Sequence, residues 1–176
     1  FEEICNCDLQ FISTSQAGTL NNEIFLNGKD VILGVEMHEF NYSIEDWHEY
    51  DHGFFSFIYD SSKLTNPPKT FEELVNREDL KIVVQDPRTS PVGIGLLRWM
   101  KSIFKDDFSI KLKQLDQNII TYSPGWSEAY GIFLEGNADL VLSYSTSPFY
   151  HQEYENEYKY KSLNFTEGHL ATREIV

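Results

Sequence analysis

Hydrophobic and polar positions change their period several times along the chain. In "CDLQFISTS" apolar and polar residues alternate before the run turns polar, which predicts a strand leading into a loop. "GTLNNEIFL" predicts a short helix with Gly18 and Thr19 at its start. "DVILGV", Asp30 to Val35, is a continuous apolar run of strand length, as a buried parallel strand requires. "EMHEFNYSIEDWHEYDHG", Glu36 to Gly53, holds no period and reads as a surface loop.

From Gly53 onward the pattern is regular. "GFFSFIYD" is a strand, and "NPPKTFEELVN" is a double-proline turn followed by a helix capped by Thr70, with Glu73 at the capping-box position. "KIVVQD" is a buried strand, and a helix follows from about Pro91 to Phe104. "FSIKLKQLDQN" reads as helix, "IITYS" as strand, and "GWSEAYGIFLEG" as a helix ended by Gly136. "ADLVLSYSTSPFY" predicts a strand running into a polar loop, "EYENEYKYKSL" a charged exposed stretch, and "GHLATREIV" a last strand. Strand and helix therefore alternate through the middle, the signature of an α/β fold with a largely parallel sheet. Such sheets bind ligands beyond the carboxyl ends of their strands. Three loops meet that description: "QDPRTSPVG", "YSPGWSEAYG" and "SYSTSPFY".

In the first loop, Ser90 or Thr89 can cap the helix and Pro91 suits its first position. Gly93 and Gly95 are expected to keep the backbone approachable, and a helix start offers amide groups to an anion or hydroxyl. A well-capped helix without ligand explains the same residues. The second loop leads Trp126 onto another helix start, where the indole faces either the core or a cleft. The third places Tyr144, Ser145, Thr146, Ser147 and Tyr150 within seven positions. Tyrosine pairs a flat apolar face with a polar tip, so it stacks on planar ligands and faces cations. The combination suits a small planar cation bearing a hydroxyl or phosphate tail. No nucleophile and base are arranged together.

Composition narrows the choice. A chain of 176 residues makes one domain or two small lobes, and 41% hydrophobic content suffices for a core. A net charge of -14 argues against nucleic acid, which needs clustered Lys and Arg, and mildly favours a cationic ligand. The two cysteines, Cys5 and Cys7 in "CNC", have no matching second pair for zinc; a strained bridge and two free thiols both remain open. No apolar run approaches the ~20 residues of a membrane span. The chain starts at Phe1 without an initiator Met or a signal-type segment, so it reads as part of a processed or longer protein.

Four runs, VQDPRTSPVGIGLLRWM, GWSEAYGIFL, ADLVLSYSTSPFY and NFTEGH, resemble the signatures of the periplasmic thiamine-binding proteins of bacterial ABC importers. "CNC", "NPPKTFEELV" and "DHGFFSFIYD" are similar to that family's pattern as well, and the resemblance extends from Phe1 to about His169. It implies a type 2 periplasmic binding fold: two lobes with central, mainly parallel sheets, joined by crossing strands. Residues 1–52 would be an incomplete first lobe, 53–160 the second lobe, and 161–176 a strand crossing back. Thiamine or its mono- or diphosphate would lie between the lobes for delivery to an ABC permease, in the periplasm or on a lipid anchor outside the cell. No cofactor, metal or catalysis is implied. Ser90 and nearby backbone would meet the hydroxyl or phosphate end. Trp126 and Tyr144 would line that end and the thiazolium, and Tyr150 would stack on the pyrimidine. The family's acidic residue and glycine after the early strand align with Gln16 and Ala17, with Gly18 next, a departure from its pattern. The chain is also short for the family: a first strand would precede Phe1, a helical part with a further Trp would follow Val176, and spacing is compressed around "GKDVILG", between "GVE" and "DHGFF", and after "EGH".

Two rival readings bear on chemistry. A protein of the same fold for ferric iron or an oxyanion would use tyrosine pairs or helix starts. Against iron, no adjacent tyrosine pair sits with a carboxylate and histidine cluster; His151 beside Tyr150 reads more simply as a surface histidine. A thiamine-cleaving enzyme of similar bilobal shape would need a cleft cysteine helped by a glutamate. Cys5 and Cys7 lie away from the three loops, and Glu128 reads as a helix-start glutamate favoured by the dipole. A purely structural protein would leave the three loops as coincidence.

Overall fold

The structure, a computed structural model, describes residues 8–12, 31–37 and 49–175. In chain order its elements are β1 (Asp8–Ile12), β2 (Val31–Met37), β3 (Glu49–Asp60), α1 (Phe71–Val75), β4 (Ile82–Gln85), α2 (Pro91–Phe104) and α3 (Phe108–Asp116). After these come β5 (Ile119–Ser123), α4 (Trp126–Leu134), β6 (Leu140–Tyr144), α5 (Ser147–Glu155), β7 (Tyr160–Ser162) and β8 (Ala171–Ile175). The helix expected at "GTLNNEIFL", the "CNC" cysteines and Gln16, Ala17 and Gly18 lie outside the described residues. Contacts divide the chain into two units, Phe1–His52 with Ala171–Val176, and Gly53–Leu170.

In the smaller unit β1 and β2 run parallel, with Asp8 opposite Val31 and Ile12 opposite Val35. β8 joins β2 antiparallel, with Val35 opposite Ile175 and Met37 opposite Arg173. The expected loop from Glu36 to Gly53 is therefore strand at both ends: β2 runs on through Met37 and β3 begins at Glu49. Ladder partners far away in sequence fix these ends, and a local period does not register them.

In the larger unit, strands stand side by side in the order β7, β3, β6, β4, β5. β4 is parallel to both β5 and β6, while β3 is antiparallel to β6 and β7. The chain thus moves from β4 outward to β5, then back across β4 to β6. Crossovers between parallel strands keep one hand, so a reversal of direction puts the connecting helices on opposite faces. The cores follow that rule. Phe57, Val84 and Leu142 join Trp99 and Met100 of α2 and Leu115 of α3 in one buried cluster. Ile58, Val83 and Val141 join Ala129, Tyr130 and Phe133 of α4 in the other. Alternate residues of each strand supply the two faces, which is why these strands read as continuous apolar runs.

Local chemistry sets the helix ends. Thr70 Oγ1 accepts from Glu73 N at 2.9 Å, as the capping box requires. Glu73 reaches back to Lys69 N at 2.7 Å, one residue earlier than the usual partner. Phe71 N instead donates to Glu167 Oε1 at 2.9 Å, from 96 residues away, so the acidic residue of "NFTEGH" completes this cap. Gly136, at φ +80, ends the turn after α4.

Two expectations near the C-terminal part are corrected. The "polar loop" after β6 is the helix α5, and the "exposed" stretch contains β7, with Tyr160 and Leu163 buried. Only Pro148 and His151 of α5 are buried, so no apolar stripe marks it in the sequence.

Candidate functional site

Because β4, β5 and β6 are parallel neighbours, their three following loops emerge at one edge of the larger unit. The connections after β4 and β6 leave toward opposite faces of the sheet, the arrangement at which open α/β sheets place their ligand sites. Hydrogen bonds tie the loops to one another. Asp86 N donates to Ser123 O at 2.8 Å, extending the β4–β5 ladder by one rung. Thr89 Oγ1 donates to Pro124 O at 2.9 Å, joining the first loop to the second. Gln85, fully buried, donates through Nε2 to Leu142 O at 3.0 Å across to β6.

The first loop is a tight turn: the amides of Thr89 and Ser90 both donate to Asp86 O, at 3.1 and 2.9 Å. The Arg88 guanidinium hydrogen-bonds the Asp86 carboxylate and holds its pKa down at about 2. Ser90 stands at the N-cap of α2 with extended backbone, but its hydroxyl makes no capping bond. The capping role expected of Ser90 or Thr89 is therefore not filled by either side chain, since Thr89 turns to Pro124. Ser90 is 4% exposed. Gly93 and Gly95 do not open the backbone to a ligand. A Cβ on Gly93 would lie 2.4 Å from Gln85 O, and one on Gly95 2.5 Å from the Phe55 ring. Both glycines let α2 press onto the sheet.

Trp126 opens α4, and its indole is 39% exposed. Its Nε1 donates to Ser143 Oγ at 2.7 Å, and Ser143 Oγ is 2.7 Å from Ser147 Oγ. One ring face lies on Tyr130, with centroids 4.8 Å apart and planes at 24°. The ring is thus held at an edge and a face, and it belongs to the surface rather than the core. Tyr144, at the end of β6, is half-buried and stacks on Phe55 at 5.5 Å. Tyr150 is 59% exposed on α5, beside Tyr154 at 5.2 Å and edge-on to His151 at 5.6 Å.

His151 is not the surface residue the sequence suggests. It is 3% exposed, bonded to Tyr130 Oη at 3.0 Å and to Glu155 Oε2 at 2.5 Å. The structure brings Trp126 together with Ser143 and Ser147, and connects it to Tyr150 through Tyr130 and His151. Ser90 stands one loop away. Ser143 escaped the sequence reading, although a lone hydroxyl in the apolar strand "LVLSY" was a visible signal. Among the described residues no group of three or more His, Cys, Asp or Glu side chains is arranged to hold a metal ion. A recess of about 340 Å³ lies between β4, α2 and α3, lined by Leu96, Leu97, Leu112 and Ile119 among others, and Ser90, Trp126, Tyr144 and Tyr150 do not border it.

No protein-family model matches the chain. A thiamine-binding periplasmic protein of Haemophilus influenzae is 39% identical over 201 residues, covering 96% of this chain and 59% of that protein. One of Brucella melitensis is 36% identical over 203 residues, covering 99% of this chain and 61% of that protein. A solved structure of a periplasmic thiamin binding protein superposes with a TM-score of 0.78 at 29% identity, over 96% of this chain and 71% of that one. The chain spans about three-fifths of the length of the curated relatives it matches. Over nearly its whole length it is similar to thiamine-binding periplasmic proteins, and its fold is that of the type 2 periplasmic binding proteins.

Proposed function

We propose that the protein containing this chain binds thiamine, or a thiamine phosphate, in the periplasm and delivers it to an ABC permease. The edge of the larger unit formed by the three loops would be one wall of the binding site. The observation that carries the reading is the Trp126 indole, held by Ser143 and Tyr130 with part of its surface left open. Thiamine joins a cationic thiazolium to a flat aminopyrimidine, with a hydroxyethyl tail that is free or phosphorylated. An indole and exposed tyrosines attract such rings by stacking and by cation–π interaction. The start of α2, with no side chain capping it, offers amide donors to the tail. The net charge of -14 favours approach of a cation.

In this reading Trp126 and Tyr144 face the thiazolium and tail, Tyr150 the pyrimidine, and Ser90 with its neighbouring amides the tail. Gln16, Ala17 and Gly18 are proposed as further ligand contacts. The protein acts by binding and release, with no covalent step. Mass spectrometry of the small molecule released from the intact protein on denaturation tests the reading. It should return thiamine or a thiamine phosphate; ferric iron or an inorganic oxyanion in its place would overturn it.

A further inference from the structure

A chain of polar groups lies behind Trp126, buried at Tyr130 and His151 and reaching the surface at Glu155, and binding as described above does not use it. Tyr130, 5% exposed, supports the Trp126 ring from below. His151 lies flat on Tyr130, with centroids 5.7 Å apart and planes at 8°. Its Nε2 is 3.0 Å from Tyr130 Oη and its Nδ1 2.5 Å from Glu155 Oε2. Phenylalanine and leucine would fill the same space without hydrogen bonds. Burying an imidazole is costly unless its nitrogens are bonded, so a chain with both engaged fixes geometry beyond what packing does.

The available protons give the chain a direction. An ionised carboxylate only accepts, so Nδ1 of His151 carries the hydrogen shared with Glu155. In the neutral ring Nε2 is then an acceptor, and the Tyr130 phenol donates to it. Burial pushes the Tyr130 phenol well above its ordinary pKa, so that proton stays in place. A phenol oxygen also accepts, so the Tyr130–His151 bond is kept whichever of its two atoms carries the hydrogen. The other titratable groups around the imidazole are Tyr160 of β7, with ring centroid at 4.4 Å and Lys159 Nζ over its ring, and Tyr150 edge-on.

We propose that Tyr130, His151 and Glu155 are positioning residues for the ligand wall: their hydrogen-bonded chain fixes the tilt of the Trp126 ring. The ligand-binding half of this inference rests on Trp126 contacting thiamine; the positioning half does not.

Fluorine NMR of the intact protein labelled with 5-fluorotryptophan tests it, with the Trp126 resonance assigned through Trp126→Phe. Tyr130→Phe, which removes only the hydroxyl and keeps the stacked ring, and His151→Phe should each shift and broaden that resonance. His151→Gln, whose amide can donate to Glu155 and accept from Tyr130, should leave it close to its position in the unsubstituted protein. Thiamine dissociation constants should rise about 5- to 20-fold for the two phenylalanine variants, as loss of one or two buried hydrogen bonds implies. The double variant should be no weaker than the worse single one, and His151→Gln should stay within about 3-fold of the unsubstituted protein. A Trp126 resonance unmoved by Tyr130→Phe and His151→Phe, or single-variant penalties that simply add, would overturn the proposal. If the fluorine response appears but thiamine does not bind, the ligand assignment fails and the positioning role stands.

Discussion

The indole nitrogen of Trp126 donates to the hydroxyl of Ser143 at 2.7 Å, across from the start of α4 to the penultimate residue of β6. This bond joins the second loop to the third and fixes the edge of the indole at the candidate site. Ser143 is fully buried and also meets Ser147, so it is a junction as well as a partner.

Ser143→Ala should therefore weaken both stability and binding. The indole N–H would lose its acceptor inside the fold, at about 1–3 kcal/mol. Chemical denaturation should show a loss in that range, and calorimetry should show thiamine affinity falling about 5-fold or more. Ser143→Thr keeps the hydroxyl and should recover most of the affinity.

Gly93 and Gly131 make a paired test of backbone approach. Gly93→Ala places a methyl 2.4 Å from Gln85 O and 2.7 Å from Pro87 N, both backbone atoms that cannot swing aside. Destabilisation on the order of 3 kcal/mol is expected, together with a displaced first loop. Gly131→Ala, in the middle of α4 with nothing within 4 Å of the added carbon, should stabilise by about 0.5–1 kcal/mol. Denaturation midpoints of the two variants should move in opposite directions.

The strands and helices from Gly53 to Leu134 were legible in the sequence because burial there is one- or two-sided and continuous. "IVVQ" is buried at every position, and Pro91–Phe104 carries its apolar residues at helical spacing. The alternating strands and helices likewise showed which loops would share an edge. What the sequence hid depends on partners distant in the chain. Glu167 caps α1 across 96 residues, and α5 lacks an apolar stripe because its main buried group is a histidine. His151 sits inside the fold only because Tyr130 and Glu155 satisfy its nitrogens. Gly93 and Gly95 looked ready for a ligand, yet they serve the packing of α2 on β4 and β3.

Glu167→Ala should destabilise the larger unit through α1. The amides of Phe71 and Glu72, which donate to Glu167 Oε1 at 2.9 and 3.4 Å, would lose their acceptor. Loss of such an N-terminal cap costs about 1 kcal/mol. Thermal unfolding should report a lowered midpoint, with thiamine affinity unchanged.

The Asp86–Arg88 pair predicts an acid-side effect. Asp86 titrates at about 2 in the fold, against an ordinary value of about 3.9. A carboxylate whose folded pKa is depressed lends stability that is present above its unfolded pKa and is lost as pH falls through the folded value. The loss should therefore occur between about pH 4 and pH 2. Carboxyl-carbon NMR should place the Asp86 midpoint low in the unsubstituted protein, and Arg88→Gln should move it up toward the ordinary range.

The most direct test is calorimetric titration of thiamine into the intact protein and into its Trp126→Ala and Tyr150→Ala variants. An aromatic wall that stacks on a cationic ring should lose about 1–3 kcal/mol with each truncation, which is a dissociation constant raised roughly 5- to 150-fold. Unchanged affinity in both variants, with the fold intact by circular dichroism, would contradict the assignment of this edge as the ligand wall.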